Sequence, residues 1–267
     1  MINLFKKLFV LQLVLITMSA CASTKETNMK LKLAESKKIL IIVTNHEDYP
    51  NREDKTGLWL TELTHFYDEV KEAGFEVDIA SPNGGKSPLD ERSLGWMYID
   101  KEAKKHLKNP EFTRLLDETL DVSKLNGDDY IAIYFAGGHG TMWDFKDNPD
   151  LKLISEQIYN NEGYVTSVCH GAAGLLNLQA PSGKPLIENK KITGFSNTEE
   201  WLAGLTYTVP FSLEDELKAL NPIYKKALFP FVSYAVSDGR IVTGQNPNSG
   251  KAVAKELLRL MRIKESH

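Results

Sequence analysis

The sequence predicts an α/β protein built on a mostly parallel sheet with helices on both faces. Three observations carry that expectation. Short apolar runs at 39–43, 130–136 and 163–168 have the length and composition of buried parallel strands. Stretches of helical periodicity alternate with them. Two of the runs end in small-residue turns, Gly137-Gly138-His139-Gly140 and Cys169-His170-Gly171-Ala172-Ala173-Gly174, where open sheets of this class carry their chemistry. Composition agrees. Of 267 residues 42% are hydrophobic and 25% charged, with a net charge of −4, which excludes disordered, collagen-like and coiled-coil classes. Lysines and arginines form no long run, against a nucleic-acid groove. Two cysteines exclude a disulfide framework, and no C-x-x-C or H-E-x-x-H suggests zinc.

At the N-terminus, Lys6 and Lys7 precede an apolar run at 8–18. As a helix it would span about 16 Å, half of a bilayer core, so it predicts an export signal over 1–20 rather than a membrane span. Met18-Ser19-Ala20-Cys21 resembles a bacterial lipobox, which makes Cys21 the expected lipidation site and 21–36 a polar tether. Ala22 in place of aspartate favours the outer membrane, on its periplasmic side, in a cell that has one. The competing expectation is a buried N-terminal segment and a cytoplasmic protein.

One α/β domain is then expected over 37–267. After the strand at 39–43 come a polar loop at 45–55 and a helix at 56–73, stopped by Gly74. A strand at 75–80 ends in Ser81-Pro82-Asn83-Gly84-Gly85. Residues 86–109 carry no clear pattern. A helix is expected from Pro110, closing across 117–125, followed by the strand at 130–136. Then come a helix at 150–160, the strand at 163–168 and a helix at 169–178. Residues 192–195 are expected to add a strand. Runs at 234–236 and 240–243 flank Asp238-Gly239, a hairpin signal. An amphipathic helix starts near Asn248 or Ser249 and ends near Ile263.

Cys169 is the chemical focus. A strand, one nucleophile and then small residues make a nucleophile elbow. If Cys21 carries lipid, Cys169 is the remaining free thiol. Elsewhere a buried cysteine is an inert packing residue; here amides at the start of the following helix favour a thiolate. The amides of Gly138 and His170 are placed to form an oxyanion hole, although G-G-H-G alone also serves as a plain turn. Glu62 falls within the apolar face formed by Leu58, Trp59, Leu63, Phe66, Val70 and Ala73. Desolvation there would raise its pKa and suit proton transfer, whereas a place at the rim would leave it an ordinary glutamate, as Glu69 is expected to be. His65 and His106 are expected at the surface or in packing, and His139 is expected to be structural. His46 follows the first strand and could border the pocket. No metal site is expected from these histidines.

A-G-G-H-G-T-M-W-D-F at 136–145, S-V-C-H-G-A-A at 167–173 and I-T-G-F-S-N-T-E-E at 192–200 resemble the ThiJ/PfpI superfamily, with its class I glutamine amidotransferase-like fold. The resemblance is nearest to the branch of stress-induced chaperones and glutathione-independent glyoxalases (glyoxalase III), and it runs from about 38 to 260. It implies a flavodoxin-like three-layer sandwich, a nucleophile at Cys169 and an adjacent His170. K-T-G-L-W-L-T-E at 55–62 matches the start of the family's first helix and places its glutamate at Glu62. The acidic partner of the histidine falls at Glu200, with Glu199 as the alternative. No cofactor is implied. Small reactive aldehydes are the implied substrates; unfolded chains and a second copy of the chain are further candidate partners.

The expected activity is a D-lactate dehydratase of the glyoxalase III type, turning methylglyoxal or glyoxal into a hydroxy acid. A glutamine amidotransferase needs a histidine downstream of the elbow in a His-x-Glu pair. After His170 only His267 remains. A deglycase or cysteine peptidase could use the same residues, and a holdase chaperone is the expectation from a different class.

Overall fold

The computed structural model describes residues 38–265, so the expected leader, tether and Cys21 lie outside the described residues. The core is a sheet of β1 (Lys38–Ile42), β2 (Glu76–Ser81), β3 (Leu120–Asp121), β4 (Ala132–Phe135), β5 (Tyr164–Val168), β8 (Ala235–Asp238) and β9 (Ile241–Gly244), in the order β3-β2-β1-β4-β5-β9-β8. Every pairing is parallel except β8 with β9. All residues of β4, β5 and β9 are buried. Strands covered on both faces have no polar side to alternate with, which is why they appear in sequence as unbroken apolar runs.

Helices α1 (Leu60–Glu72) and α8 (Gly250–Glu265) pack together, and α8 lies against β5 and β9. Helix α5 (Pro149–Asn160) packs on β4 and β5. Connections from β1 run outward to β2 and then β3, whereas the chain from β4 runs the other way to β5. Right-handed crossovers in opposite directions put their helices on opposite faces. The result is the expected three-layer, flavodoxin-like α/β sandwich. Shorter elements complete it: α2 (Lys101–Leu107), α3 (Pro110–Asp117), α4 (Thr141–Asp144), α6 (Asn197–Leu202) and α7 (Leu213–Ala219), with a small parallel pair of β6 (Lys191–Ile192) and β7 (Ile223–Tyr224).

Five local expectations are corrected. Helix α1 begins at Leu60, not 56, because Leu58 N–H bonds Pro88 O (2.8 Å) and Trp59 N–H bonds Gly137 O (3.0 Å), which keeps that stretch extended. Ala73 ends up exposed, outside the apolar face. Helix α3 ends at Asp117, and Leu120–Asp121 pairs with β2 instead of continuing the helix. The segment after the elbow is a 3-10 helix, Cys169–Leu175, and of 192–195 only Ile192 is in a strand. Asp238-Gly239 does turn the β8–β9 hairpin, with Gly239 at φ 61°.

The elbow is wedged against β4. A Cβ on Gly171 would lie 2.2 Å from Phe135 O, a backbone atom with nowhere to go. Gly171→Ala is therefore expected to destabilise the protein by about 1–3 kcal/mol. At Gly183 the positive φ of 78° is the only obstacle, with no atom within 4 Å, so alanine should cost about 1–2 kcal/mol there. Urea denaturation of both variants checks this; an unperturbed midpoint for Gly171→Ala would contradict the wedge.

Candidate active site

Val168 is extended (φ −138°, ψ 145°) and Cys169 reverses to φ 55°, a left-handed conformation rarely adopted by non-glycine residues. The thiol therefore sits at the junction of strand and turn. Cys169 is 2% exposed, and its carbonyl accepts Phe195 N–H at 3.3 Å. His170 Nδ1 lies 3.2 Å from the thiol Sγ, and Nε2 lies 2.8 Å from Glu200 Oε2. Glu200 stands in the first turn of α6, which opens with a capping box between Ser196 and Glu199. The two adjacent glutamates thus separate. Glu199 accepts from Ser196, from Phe231 N–H (2.8 Å) and from Asn246 Nδ2 (2.9 Å), and Glu200 is the one that meets His170.

Glu62 enters from the first turn of α1 and is fully buried. Tyr134 OH on β4 donates to its backbone carbonyl (2.9 Å), and Gly137 N–H donates to its Oε2 (2.9 Å). A Cβ on Gly137 would lie 2.5 Å from that oxygen, so the approach requires glycine. Oε1 has no hydrogen-bond partner among the described residues. Burial raises the Glu62 carboxyl well above its ordinary range. Burial raises the Cys169 thiol too, and the interaction with Glu62 pushes it further. The two groups are electrostatically coupled, so they titrate as a pair rather than independently. The His170 backbone amide favours negative charge on sulfur. The amide of Gly138, the other expected oxyanion donor, bonds no acceptor among the described residues.

His139, expected to be structural, is drawn into this cluster: Nε2 lies 2.8 Å from Glu200 Oε1, and the ring lies tilted against His170 with centroids 3.8 Å apart. Phe195 closes the other side of His170 at 4.2 Å. Behind His139 stands Arg92, whose Nη2 is 2.9 Å from Nδ1. Arg92 carries no sequence signal: in Asp90-Glu91-Arg92 it looks like part of a solvated charge run. Burial alone would raise the Glu200 carboxyl, but the charges and hydrogen bonds of His139 and His170 outweigh it and hold it well below the usual range. Burial, then the neighbouring His170, lower His139 to about 4.

His139, His170 and Glu200 bring ligand-type atoms within 4.8 Å of one another. Their spacing is that of a hydrogen-bonded relay: each imidazole Nε2 already faces a carboxylate oxygen, and the Arg92 cation stands behind. The set does not suit a metal ion. Among the other histidines, His46 stacks on Trp143 (4.8 Å). His65 pairs with Asp100, and His106 with Asp68 (2.8 Å). Glu69 pairs with Lys251 (3.0 Å) at the rim of α1.

A parallel α/β sandwich with a cysteine elbow, a histidine–glutamate partner and a buried glutamate beside the thiol defines a class of cysteine-centred proteins. The chain belongs to the DJ-1/PfpI family, which it matches over residues 56–260. It is 34% identical to the glutathione-independent glyoxalase HSP31 of Saccharomyces cerevisiae, over 82% of this chain and 95% of that one. It is 31% identical to glyoxalase 3 of Candida albicans, covering 83% and 97%. Among solved structures, the Rapid Encystment Protein 24 kDa of Francisella tularensis superposes with a TM-score of 0.79 at 38% identity, over 84% of this chain and 98% of that one. The glyoxalase III of Candida albicans superposes with a TM-score of 0.79 at 31% identity, over 84% and 96%.

The depressed Glu200 pKa fixes the sign of a pH effect. A carboxyl held below its ordinary 4.5 contributes stability above that pH and loses it as the pH falls toward the folded-state value. Glu200→Gln sets an amide NH2 against one imidazole N–H and should cost about 1–3 kcal/mol at pH 7. The difference from wild type should shrink below about pH 4.5 in urea titrations. A difference constant from pH 7 to 3 would contradict the assignment of the buried charge to Glu200.

Proposed function

We propose that the protein is a glutathione-independent glyoxalase converting methylglyoxal or glyoxal to a 2-hydroxy acid without a cofactor. The observation that carries this is the buried Glu62 carboxyl beside the Cys169 thiol. A hydrolase needs a nucleophile and a general base, but an internal redox shift between adjacent carbons also needs a group that moves a carbon-bound proton. The relatives named as glyoxalases, matched along nearly their whole length, support it.

The chemistry closes on itself. Cys169 sulfur adds to the aldehyde carbon C1, and the electrons of the C=O bond go to its oxygen, which takes a proton from Glu62 or His170. The Glu62 carboxylate, more basic because it is buried, removes the C1 proton. The electrons form C1=C2, and the C2 oxygen is protonated, giving an enediol. Return of the proton to C2 and loss of the O1 proton leave a thioester of the hydroxy acid: C1 is oxidised, C2 reduced. Water attacks C1, the Gly138 and His170 amides receive the oxyanion, and the thiolate leaves. His170, oriented by Glu200, carries the oxygen- and sulfur-bound protons.

Cys21 is taken as the lipidation site of a chain exported to a bacterial cell envelope, supported by the Lys-Lys start, apolar run and lipobox-like residues. Metabolic lipid labelling should mark the full-length protein and be lost in Cys21→Ser; labelling unchanged in that variant would end the proposal.

A holdase role has one specific support, a run of exposed apolar side chains at Leu228 (88% exposed), Phe229, Phe231 and Val232. Such a patch fits unfolded segments or a second copy of the chain. Suppression of client aggregation that survives Cys169→Ser would favour this binding role over catalysis.

The enzymatic proposal predicts the loss of at least 10³-fold in methylglyoxal turnover for Cys169→Ser and for Glu62→Gln, assayed as lactate formation without glutathione. These defects should not add, because the residues act as one unit. Glu62→Gln should still trap an adduct, seen as added mass on Cys169, while Cys169→Ser forms neither adduct nor product. His170→Ala should lose more than Glu200→Gln, which acts through it. Near wild-type turnover in Glu62→Gln would remove Glu62 from the mechanism.

A further inference from the structure

We propose that Arg92 and His139 are positioning residues that hold the Glu200 carboxylate on His170, so that of two histidines on one carboxylate only His170 exchanges a proton with Cys169. The proposal rests on the cysteine-dependent reaction above, but it concerns where protons sit and can be tested without that reaction.

An arginine side chain carries only donors. Arg92 Nη2 lies 2.9 Å from His139 Nδ1 and shares its two hydrogens among that nitrogen, Tyr49 OH and Asp90 Oδ2; a guanidinium has no lone pair to accept a proton, so the nitrogen facing it is the unprotonated one and the His139 proton is on Nε2. Nε2–H then donates to Glu200 Oε1 at 2.8 Å. The second carboxylate oxygen accepts Nε2–H of His170 at 2.8 Å. Both oxygens are occupied, so the carboxylate plane is fixed, and the unprotonated nitrogen of His170 is Nδ1, 3.2 Å from Sγ. A proton leaving sulfur can be taken up by His170, with Glu200 opposite to stabilise the imidazolium. His139 cannot compete, because its free lone pair already faces a guanidinium cation.

Arg92 is held in place independently. Its Nε and Nη2 reach Asp90 Oδ1 (3.2 Å) and Oδ2 (3.0 Å), and Nη2 reaches Tyr49 OH (2.7 Å). Asp90 is fully buried and also accepts Thr56 Oγ1 at 3.1 Å and the Arg92 backbone N–H at 3.0 Å. A buried carboxylate anchored from three directions keeps the guanidinium aimed at His139. The charged and titratable groups facing His139 are Arg92 from the 91–94 turn, Tyr49 from the loop after β1, Glu200 from α6 and His170 from the elbow. Those facing His170 are Cys169, Glu200 and His139, with Glu62 behind Cys169. The lowering of His139 to about 4 agrees with an imidazole that stays neutral beside a cation.

Two measurements on the full-length chain test this. In the wild type, ¹⁵N NMR of the histidine rings should find His139 neutral, protonated at Nε2 and unprotonated at Nδ1, from pH 8 to 5. A proton on Nδ1 would overturn the proposal whether or not any variant folds. Second, the pH profile of Cys169 alkylation by iodoacetamide, read peptide by peptide by mass spectrometry, reports the thiolate without any aldehyde substrate. His139→Phe keeps a ring against His170 but removes both hydrogen bonds. It and Arg92→Gln should move the alkylation midpoint by about one pH unit and lower kcat for methylglyoxal about 10- to 100-fold, with KM within about twofold. Arg92→Lys, which restores a cationic donor, should recover part of both effects. A wild-type alkylation profile in folded His139→Phe overturns the proposal. A shifted profile in a protein whose wild type turns over no aldehyde upholds the relay and removes the glyoxalase assignment instead.

Discussion

The site depends on a single backbone reversal, Cys169 at φ 55° between an extended Val168 and a 3-10 turn. Consecutive residues in a strand point to opposite faces, and in a helix they diverge by about 100°. Neither geometry is what brings the Cys169 thiol and the His170 ring to 3.2 Å; the left-handed residue between two regular elements does. Such a conformation costs about 1–2 kcal/mol for a residue with a Cβ. It persists because the surroundings leave the chain no alternative: Gly171 lies on the carbonyl of Phe135, and Gly174 on the Phe135 ring. β4 thus acts as the anvil for the elbow after β5. The same strand supplies Tyr134 to hold Glu62 and runs on into Gly137 and His139. Glu62, the Cys169-His170 elbow and His139, from three parts of the sequence, are therefore registered against one buried strand.

That registration explains what was legible in the sequence. The central strands β1, β4 and β5 were, since burial on both faces writes them as apolar runs, and so was the Asp238-Gly239 hairpin, whose signal is local; the short edge strand β3 was not. Cys169 on an elbow and Glu62 on a helix were singled out by local patterns, whereas the pairing of His170 with the thiol came only with the family resemblance. The segment 86–109 was not. Its conformation is set by partners far away, Ser87 Oγ on Thr44 O, Leu58 N–H on Pro88 O and the Arg92 guanidinium on His139, and a window along the chain contains none of them. The surroundings of His139 were hidden for the same reason. Its partners lie 47 residues before it and 61 after it, so a turn histidine and a relay histidine look identical until the sheet brings them together. The choice between Glu199 and Glu200 also needed three dimensions, because both are buried and both are fully used.

Glu199 shows how the site is tied to the surface. Its Oε1 holds Phe231 N–H and Asn246 Nδ2, and Phe231 itself is in the left-handed region at φ 59°. Asn246 also bonds Val232 O, and Asn248 bonds Phe231 O. The apolar run at 228–232 is thereby strapped to the same short helix that presents Glu200 to the histidines. Phe231 reaches inward to Phe195 (6.1 Å between centroids), and Phe195 lies on the His170 ring. Burying a carboxylate is costly unless its acceptors are filled; Glu199 is filled by the strap and Glu200 by the imidazoles, so α6 can carry both buried side chains.

The charge balance of the cluster bears on which substrates it suits. Glu200 is an anion and the imidazole of His139 is neutral, while burial holds back ionisation of both Cys169 and Glu62. Among the described groups touching this cluster the one permanent cation is Arg92, and Asp90 neutralises it. Charges at this depth interact more strongly than in water, by several kcal/mol at about 4 Å with an effective dielectric constant near 20. A neutral dicarbonyl meets no repulsion on entry, and its oxyanion forms only transiently, at amides placed for it. A hydroxy acid is an anion at neutral pH once the thioester is cleaved, and it then meets the Glu200 carboxylate. The same carboxylate that orients His170 therefore favours departure of the product over its return, which fits a detoxifying reaction run in one direction better than a binding site for carboxylates.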